Sequence, residues 1–351
     1  MINAATLAEQ VARSEPVRAQ SFAGGKFAGC ELAAGLFEHV DFSGADLSGA
    51  SLTEAVFVEC VLEKADLARA DLRLASFVNC RLPGARLAGC RLDAGKFINC
   101  GLEDTDFSGA GLTLAKFTGC ALGQARFDGA TMDRVILADC ATEGLSLAAL
   151  RLNRCTFMAA DLRRTDFAGT AFIRTSLMGA KLAGRELPGI VIPSCLLKDA
   201  DLRGCDLTGA DLSQTMLMGA RLEGARLGKA RLAGAVLAGA NLTGADFSGA
   251  DFSGAVLNGA SAAGASFAQA RLYQCAATGL NAPDADFSGA DLTYADFSHA
   301  VLDRARFAGT IFSRTNLHRI SDEDASIPDR SGSFATDPER ARAESWHELE
   351  T

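Results

Sequence analysis

The sequence predicts an all-β solenoid: a square coil wound about fifteen times, with a short helix before it and a polar tail with a second short helix after it. Three observations carry this. From Phe22 to Leu317, every fifth residue is large and apolar; 56 of these sixty positions are Leu, Phe, Ile or Met. The residue two places earlier is small, usually Ala, Cys, Thr or Gly. Twenty of the 21 Phe fall in the large series, and all eleven Cys fall at the small position. A period of five fits neither a helix nor a flat strand, so the backbone must turn a corner every five residues. Four sides close a lap of twenty. AVFVEC at 55–60, ASFVNC at 75–80, GKFINC at 95–100 and AKFTGC at 115–120 repeat at that interval.

The elements follow in order. Residues 1–19 read as a helical cap: Asn3 is a candidate N-cap, Leu7 and Val11 share a face, and Pro16 lies beyond. Residues 20–319 form the coils, which at about 4.8 Å each give a rod roughly 70 Å long. Some positions threaten the regularity. Arg185 takes a small inward position, with Pro188 and Pro193 nearby. Leu145, Leu150 and Leu280 are oversized for theirs, while Thr142, Ala277 and Ala282 are undersized. Bulges or bends are expected near 142–150, 185–195 and 277–283. Residues 320–351 lack the repeat. They read as a loop followed by a helix with Asp337 as N-cap and Pro338 at its first position. Trp346 and Leu349 on this helix are candidates for docking the tail.

ADLSGASL at 45–52, ADFSGADFSGA at 245–255 and ADFSGADLTYADFSHA at 285–300 resemble the A-D/N-L/F-x-x unit of pentapeptide-repeat proteins. The resemblance covers about residues 20–319 and implies a right-handed quadrilateral β-helix. It implies little about biochemistry. Some acidic rods of the family mimic duplex DNA and inhibit or protect bacterial gyrase. Long loop-free chains of this type also resemble proteins found beside type VI secretion components.

Several functional classes fit poorly. Inward thiols act as small apolar side chains rather than ligands or disulfides, and there is no CxxC pair. His39, His299, His318 and His347 look scattered in coil order, so no nucleophile–base site is expected. No GxxxxGK phosphate loop occurs. The expectation is a non-enzyme with no cofactor, metal or small-molecule substrate. The opening residues lack a basic, then apolar, signal segment, and no run is long and apolar enough to span a bilayer, so a cytoplasmic location is expected. The pI is near 5.1, yet residues 20–319 hold 32 acids and 29 bases, arranged in alternating bands. That banding suits neither a DNA mimic nor a nucleic-acid binder.

One side of the coil differs from the other three. Outside its inward Phe column lie Val56, Val58, Val78, Ile98, Ile136, Met158, Met178, Leu196, Met216, Met218, Val236 and Val256. Lys96, Lys116 and Lys198 interrupt them. Val and Ile suit any flat strand. Met is a poor strand former that adapts to partners, so the stripe reads as an interface for another protein or a second copy.

Overall fold

A computed structural model describes residues 4–347. The chain forms two compact units, Met1–Ala180 and Lys181–Thr351, a division that the five-residue phase does not mark.

Ala45-Asp46-Leu47-Ser48-Gly49 shows how the repeat folds. Ala45 and Leu47 point inward and are fully buried. Asp46 accepts hydrogen bonds from the Ser48 amide at 3.0 Å and its hydroxyl at 2.6 Å, closing the turn. Gly49 takes the corner at φ 64°, in the left-handed region that glycine enters without steric cost. The Leu47 amide then donates to Asp66 O in the next coil, and the Asp66 amide to Ala45 O, so each side pairs with the side twenty residues on. Asp therefore serves the turn, Gly the corner, and Ala with Leu the core.

In the first unit, α1 (Ala4–Ala12) buries Leu7 and Val11. One face of the coil then forms a parallel sheet. Its strands stack as β1 (Val17–Arg18), β2 (Leu36–Glu38), β3 (Val56–Val58), β4 (Ser76–Val78), β5 (Lys96–Ile98), β6 (Lys116–Thr118), β8 (Ile136–Ala138) and β10 (Thr156–Met158). A second sheet stacks β7 (Met132–Asp133), β9 (Arg151–Asn153) and β11 (Ala171–Ile173) on the neighbouring side. The Phe column runs behind the first sheet. Phe57, Phe77, Phe97 and Phe117 stack with centroids 4.7, 4.8 and 5.0 Å apart and rings within 3° of parallel.

Regular strands thus mark eight coils, fewer than the fifteen the sequence predicts. In the second unit the same offset continues as single bridges, from Lys181↔Asp201 to Val301↔Ser321 and Arg306↔Ser326. The reason lies in the corner. There the residue three after each core position folds back, as the Ala220 amide does onto Leu217 O at 3.0 Å, and the side is left with one pairing residue. The bridges at Ser321 and Ser326 carry coil pairing into residues that the sequence reads as loop. α2 (Pro338–His347) follows, with Asp337 Oδ1 accepting from the amides of Glu339 and Arg340.

The three suspect regions behave differently. Near 277–283 there is no bulge: Ala277, Leu280 and Ala282 are fully buried and the register holds through Asn281. All three point into the same stretch of core, the oversized Leu280 between two undersized positions, which accounts for the absence of a bulge. Near 185–195 the register holds towards the following coil, through Glu186↔Asp206 and Val191↔Asp211, while Arg185 and Leu187 are only half-buried and the boundary between the two units falls just before them. Near 142–150 the pairing continues through Ser146↔Asp166 and Arg151↔Ala171, and the departure is local to Thr142. The Thr142 hydroxyl donates to Asp161 O at 2.6 Å, and a cavity of about 490 Å³ opens beside it.

Candidate interaction surface

Three-residue strands with the core residue at the centre present their first and third residues outward. In the first unit, β3, β4 and β5 set Val58, Val78 and Ile98 in register on one file, and β2 and β3 set Leu36 and Val56 on the other. Ile136, Met158 and Met178 lie further along the same face. In the second unit Leu196, Met216, Val236 and Val256 bridge one to the next in a single file, with Met218 on the adjacent file. Ile98, Met158, Met216 and Met218 are between 36 and 42% exposed. The other eight stripe residues are half-buried. Composition sorting missed Leu74 and Leu114. Both stand exposed on the corner bordering this face, at φ 59° and 62°, where a search confined to the flat positions does not look.

The charge bands acquire a simple cause. Acid and base lie twenty residues apart and pair across adjacent coils: Asp66 with Arg86, Asp71 with Arg91, Asp106 with Arg126, Asp206 with Arg226, Asp211 with Arg231, and Asp286 with Arg306. Asp206 is held down at about 2, first by the Thr208 hydroxyl and then by Arg226. At these positions acid and base neutralise each other across adjacent coils, while Asp46 over Asp66 stacks acid on acid.

The thiols are buried except Cys30, which is half-buried near the N-terminal end. They are not merely apolar filling. Cys60, Cys80, Cys100 and Cys120 each donate to the carbonyl twenty-three residues upstream, those of Phe37, Phe57, Phe77 and Phe97, at 3.3–3.4 Å. Thr105, Thr175, Thr215 and Thr315 make the same bond from equivalent positions. Burial pushes Cys90 up to about 12 and Cys155 up to about 11, away from thiolate chemistry.

One expectation about histidine is overturned. His299 and His318 are not far apart in coil order: nineteen residues is almost one lap, and their rings meet at 5.5 Å. Glu344 of α2 joins them. Its carboxylate lies 3.0 Å from His318 Nε2, 3.6 Å from His299 Nε2, 3.3 Å from Arg319 and 2.8 Å from Arg340. These donors, His318 first, push Glu344 down to about 2. The trio has the composition of a metal site. Its hydrogen bonds point elsewhere: His318 Nδ1 accepts from the Asp337 amide at 3.1 Å, which places the ring proton on Nε2, aimed at Glu344 rather than offering a lone pair. The cluster is a latch between α2 and the last coils. Sequence reasoning chose Trp346 and Leu349 for this role. The Trp346 side chain and Leu349 lie outside the described residues, and the described contact is polar.

The cavity beside Thr142 is lined by Ala141, Thr142, Glu143, Asp161, Arg163 and Arg164. Arg163 pairs with Asp161 and Arg164 with Glu143, so its charges are internally matched, and the Thr142 hydroxyl is engaged in donating to Asp161 O.

The coil, its five-residue unit and its twenty-residue pairing have a known counterpart. Residues 50–127 match the "Pentapeptide repeat region" family, and segments spanning 195–319 match "Pentapeptide repeats (8 copies)". The chain belongs to the pentapeptide-repeat family. Its fold is the family's right-handed quadrilateral β-helix. Among solved structures it is similar to HetL, a pentapeptide repeat protein of the cyanobacterium Nostoc involved in heterocyst differentiation regulation. That likeness has 22% identity, 87% of this chain, 97% of that chain and a TM-score of 0.20. QnrB1, a plasmid-mediated fluoroquinolone resistance protein, shares 21% identity over 78% of this chain and 94% of its own, with a TM-score of 0.19. Rfr23 of the cyanobacterium Cyanothece shares 20% over 37% and 90%, with a TM-score of 0.18. No curated protein matches the chain. Among the described residues no helix is long and apolar enough to cross a membrane.

Proposed function

We propose that this pentapeptide-repeat protein is a non-enzymatic scaffold that binds another protein, or a second copy of itself, through its apolar face. The observation that supports this most is the file Leu196–Met216–Val236–Val256. It holds four large apolar residues in successive coils with no charge among them. On other sides of these coils Asp206 pairs with Arg226 and Asp211 with Arg231, each one lap on. An apolar file on a coil that elsewhere alternates its charges is the pattern of a surface that becomes covered. Gyrase inhibition is the weaker reading, because matched charge bands give no continuous phosphate-like field. An accessory role in type VI secretion is compatible with a scaffold, and no residue here speaks for it specifically.

The test replaces Val56, Ile98, Met178 and Met218 with Glu. Loss of self-association by sedimentation, or loss of the partner retained from the native host, supports the reading. If both are unchanged while the circular dichroism stays native, the face is ordinary surface and the proposal is wrong. Unchanged supercoiling by gyrase at micromolar protein excludes the alternative.

A further inference from the structure

Several cations stand outside the pairing rule, and on this face two of them lie directly opposite each other. Lys96 and Lys116 are direct partners across β5 and β6. Like charges so placed repel. Two coils on, Arg154 and Arg174 follow one another on the corner that borders the same face, at φ 51° and 50°. All four side chains are exposed, and none has an ion-pair partner among the described residues. By contrast, Arg134 on that corner pairs with its neighbour Asp133. The opposite border carries Asn99, Gly119, Asp139, Ala159 and Gly179, with Asp139 its one acid.

The face between these borders is apolar on one file. β5, β6, β8 and β10 set Ile98, Thr118, Ala138 and Met158 in line, Met178 follows one coil on, and Ile136 stands on the file next to it. The patch therefore has a polarity across its width: cations on one edge and its near file, apolar side chains on the other file. Its period along the axis is the coil rise, 4.8 to 5.0 Å between stacked rings. A helix repeats its face every ~5.4 Å. Three turns of helix laid along the axis drift by only about 1–2 Å against three coils, less than the reach of a Lys or Met side chain.

We infer that the face bounded by Lys96, Lys116, Arg154 and Arg174 takes an acidic amphipathic helix of a partner protein. Its apolar stripe lies on Ile98, Met158 and Met178, and its carboxylates lie along the cationic edge. This rests on the scaffold reading above and specifies the partner. The unpaired cations select the sign of the partner, and the apolar file supplies contact area. An anionic membrane would also match the charge, but a bilayer does not use the difference between the two files.

The probe is a synthetic 18-residue helix with Leu at i, i+3, i+4 and i+7 spacing and Glu flanking one side of that stripe. Its counterpart carries Lys for Glu. The full chain is titrated with each by fluorescence anisotropy, and with vesicles of phosphatidylserine and phosphatidylcholine by co-sedimentation. The expected result is binding of the Glu helix at least tenfold tighter than the Lys helix, weakened by salt. In the K96E/K116E/R154E/R174E variant the preference inverts. Equal affinity for the two helices, an unchanged preference in that variant, or vesicle binding without helix binding would each overturn the inference. The two proposals separate through the native partner. If Ile98→Glu with Met158→Glu abolishes that association while the charge-reversed variant keeps it, the scaffold stands and the acidic-helix inference fails.

Discussion

Phe77 tests the physics of the coil most directly. Its ring is fully buried and lies flat between Phe57 at 4.7 Å and Phe97 at 4.8 Å. Replacement by Ala leaves a cavity walled by two rings that cannot close on each other, because the ladder on either side fixes their spacing. Large-to-small Phe substitutions in cores cost about 3–5 kcal/mol. Each aromatic contact adds roughly 0.5–1.5 kcal/mol, partly counted in that figure already. The expected loss is therefore about 4–5 kcal/mol. Phe77→Leu keeps most of the volume, and Leu137 holds the same station directly beside Phe117 in this column. Its expected cost is only about 1–2 kcal/mol, chiefly the two ring contacts. Urea unfolding of the full chain gives the magnitudes, and amide exchange gives the location. Coils touch only their neighbours, so protection falls first at Ser76 and Lys96, whose amides donate to Ala55 O and Ala75 O, and not at Asn241 in the second unit. A cost below about 2 kcal/mol for Phe77→Ala, or equal costs for Ala and Leu, would refute the claim that ring volume and ladder spacing act together.

Cys100→Thr is expected to unfold within about 0.5 kcal/mol of the parent, because Thr makes the same carbonyl bond elsewhere; Cys100→Val, which deletes the donor to Phe77 O, costs about 1 kcal/mol more in chemical denaturation. Leu280→Ala costs about 2–5 kcal/mol and Ala277→Leu about 1–3, whereas the double exchange recovers much of the sum, a coupling that a thermal-unfolding double-mutant cycle reads directly. Glu344 lies below its unfolded value, so its contribution to tail docking is complete above the ordinary carboxylate range and is lost as pH falls towards about 2. Limited proteolysis should cut the tail faster as pH drops through that window, and Glu344→Gln should make cutting fast and pH-independent. With Ellman's reagent, Cys30 should react ahead of the ten buried thiols, which wait for unfolding.

How much of this was legible in the sequence depends on the distance over which each feature is decided. The five-residue unit and its twenty-residue pairing were legible, since Ala, Asp, Leu, Ser and Gly each act within five residues and the pattern recurs along the chain, but the division at Ala180 and the restriction of regular strands to the first unit were not. The Cys and Phe columns followed from the same count. Compensation at Ala277–Leu280–Ala282 was not legible position by position: each residue breaks a rule alone, and they satisfy it only as a group. The His299–His318 contact was present in the numbers, nineteen residues apart, and was lost by judging separation along the chain instead of around the lap. Glu344 gave no such signal. α2 lies outside the repeat, so nothing periodic assigns its partners, and an apolar docking residue was the natural guess for a helix carrying Trp346. Leu74 and Leu114 stand at left-handed corners, where Gly is expected and large residues attract no attention.

The charge pattern decides what this surface can recognise. A periodic chain can place acid over acid, as a mimic of a phosphate backbone would, or acid over base. Asp206 over Arg226 and Asp211 over Arg231 are the second arrangement, and each pair erases the field of its own coil beyond about one Debye length, ~8 Å at physiological salt. A partner approaching from solution therefore senses little at those positions. Lys96 over Lys116 does the opposite. Their fields add, they stand beside Ile98 rather than beside an acid, and the coil retains a repulsion that its own period relieves elsewhere. A single acidic substitution one lap away, Ile136→Asp opposite Lys116, would restore the pairing rule on this file. It should stabilise the free protein slightly by relieving that repulsion while weakening the acidic helix probe. Opposite signs for stability and binding are what distinguish a surface shaped by a partner from one shaped by folding alone.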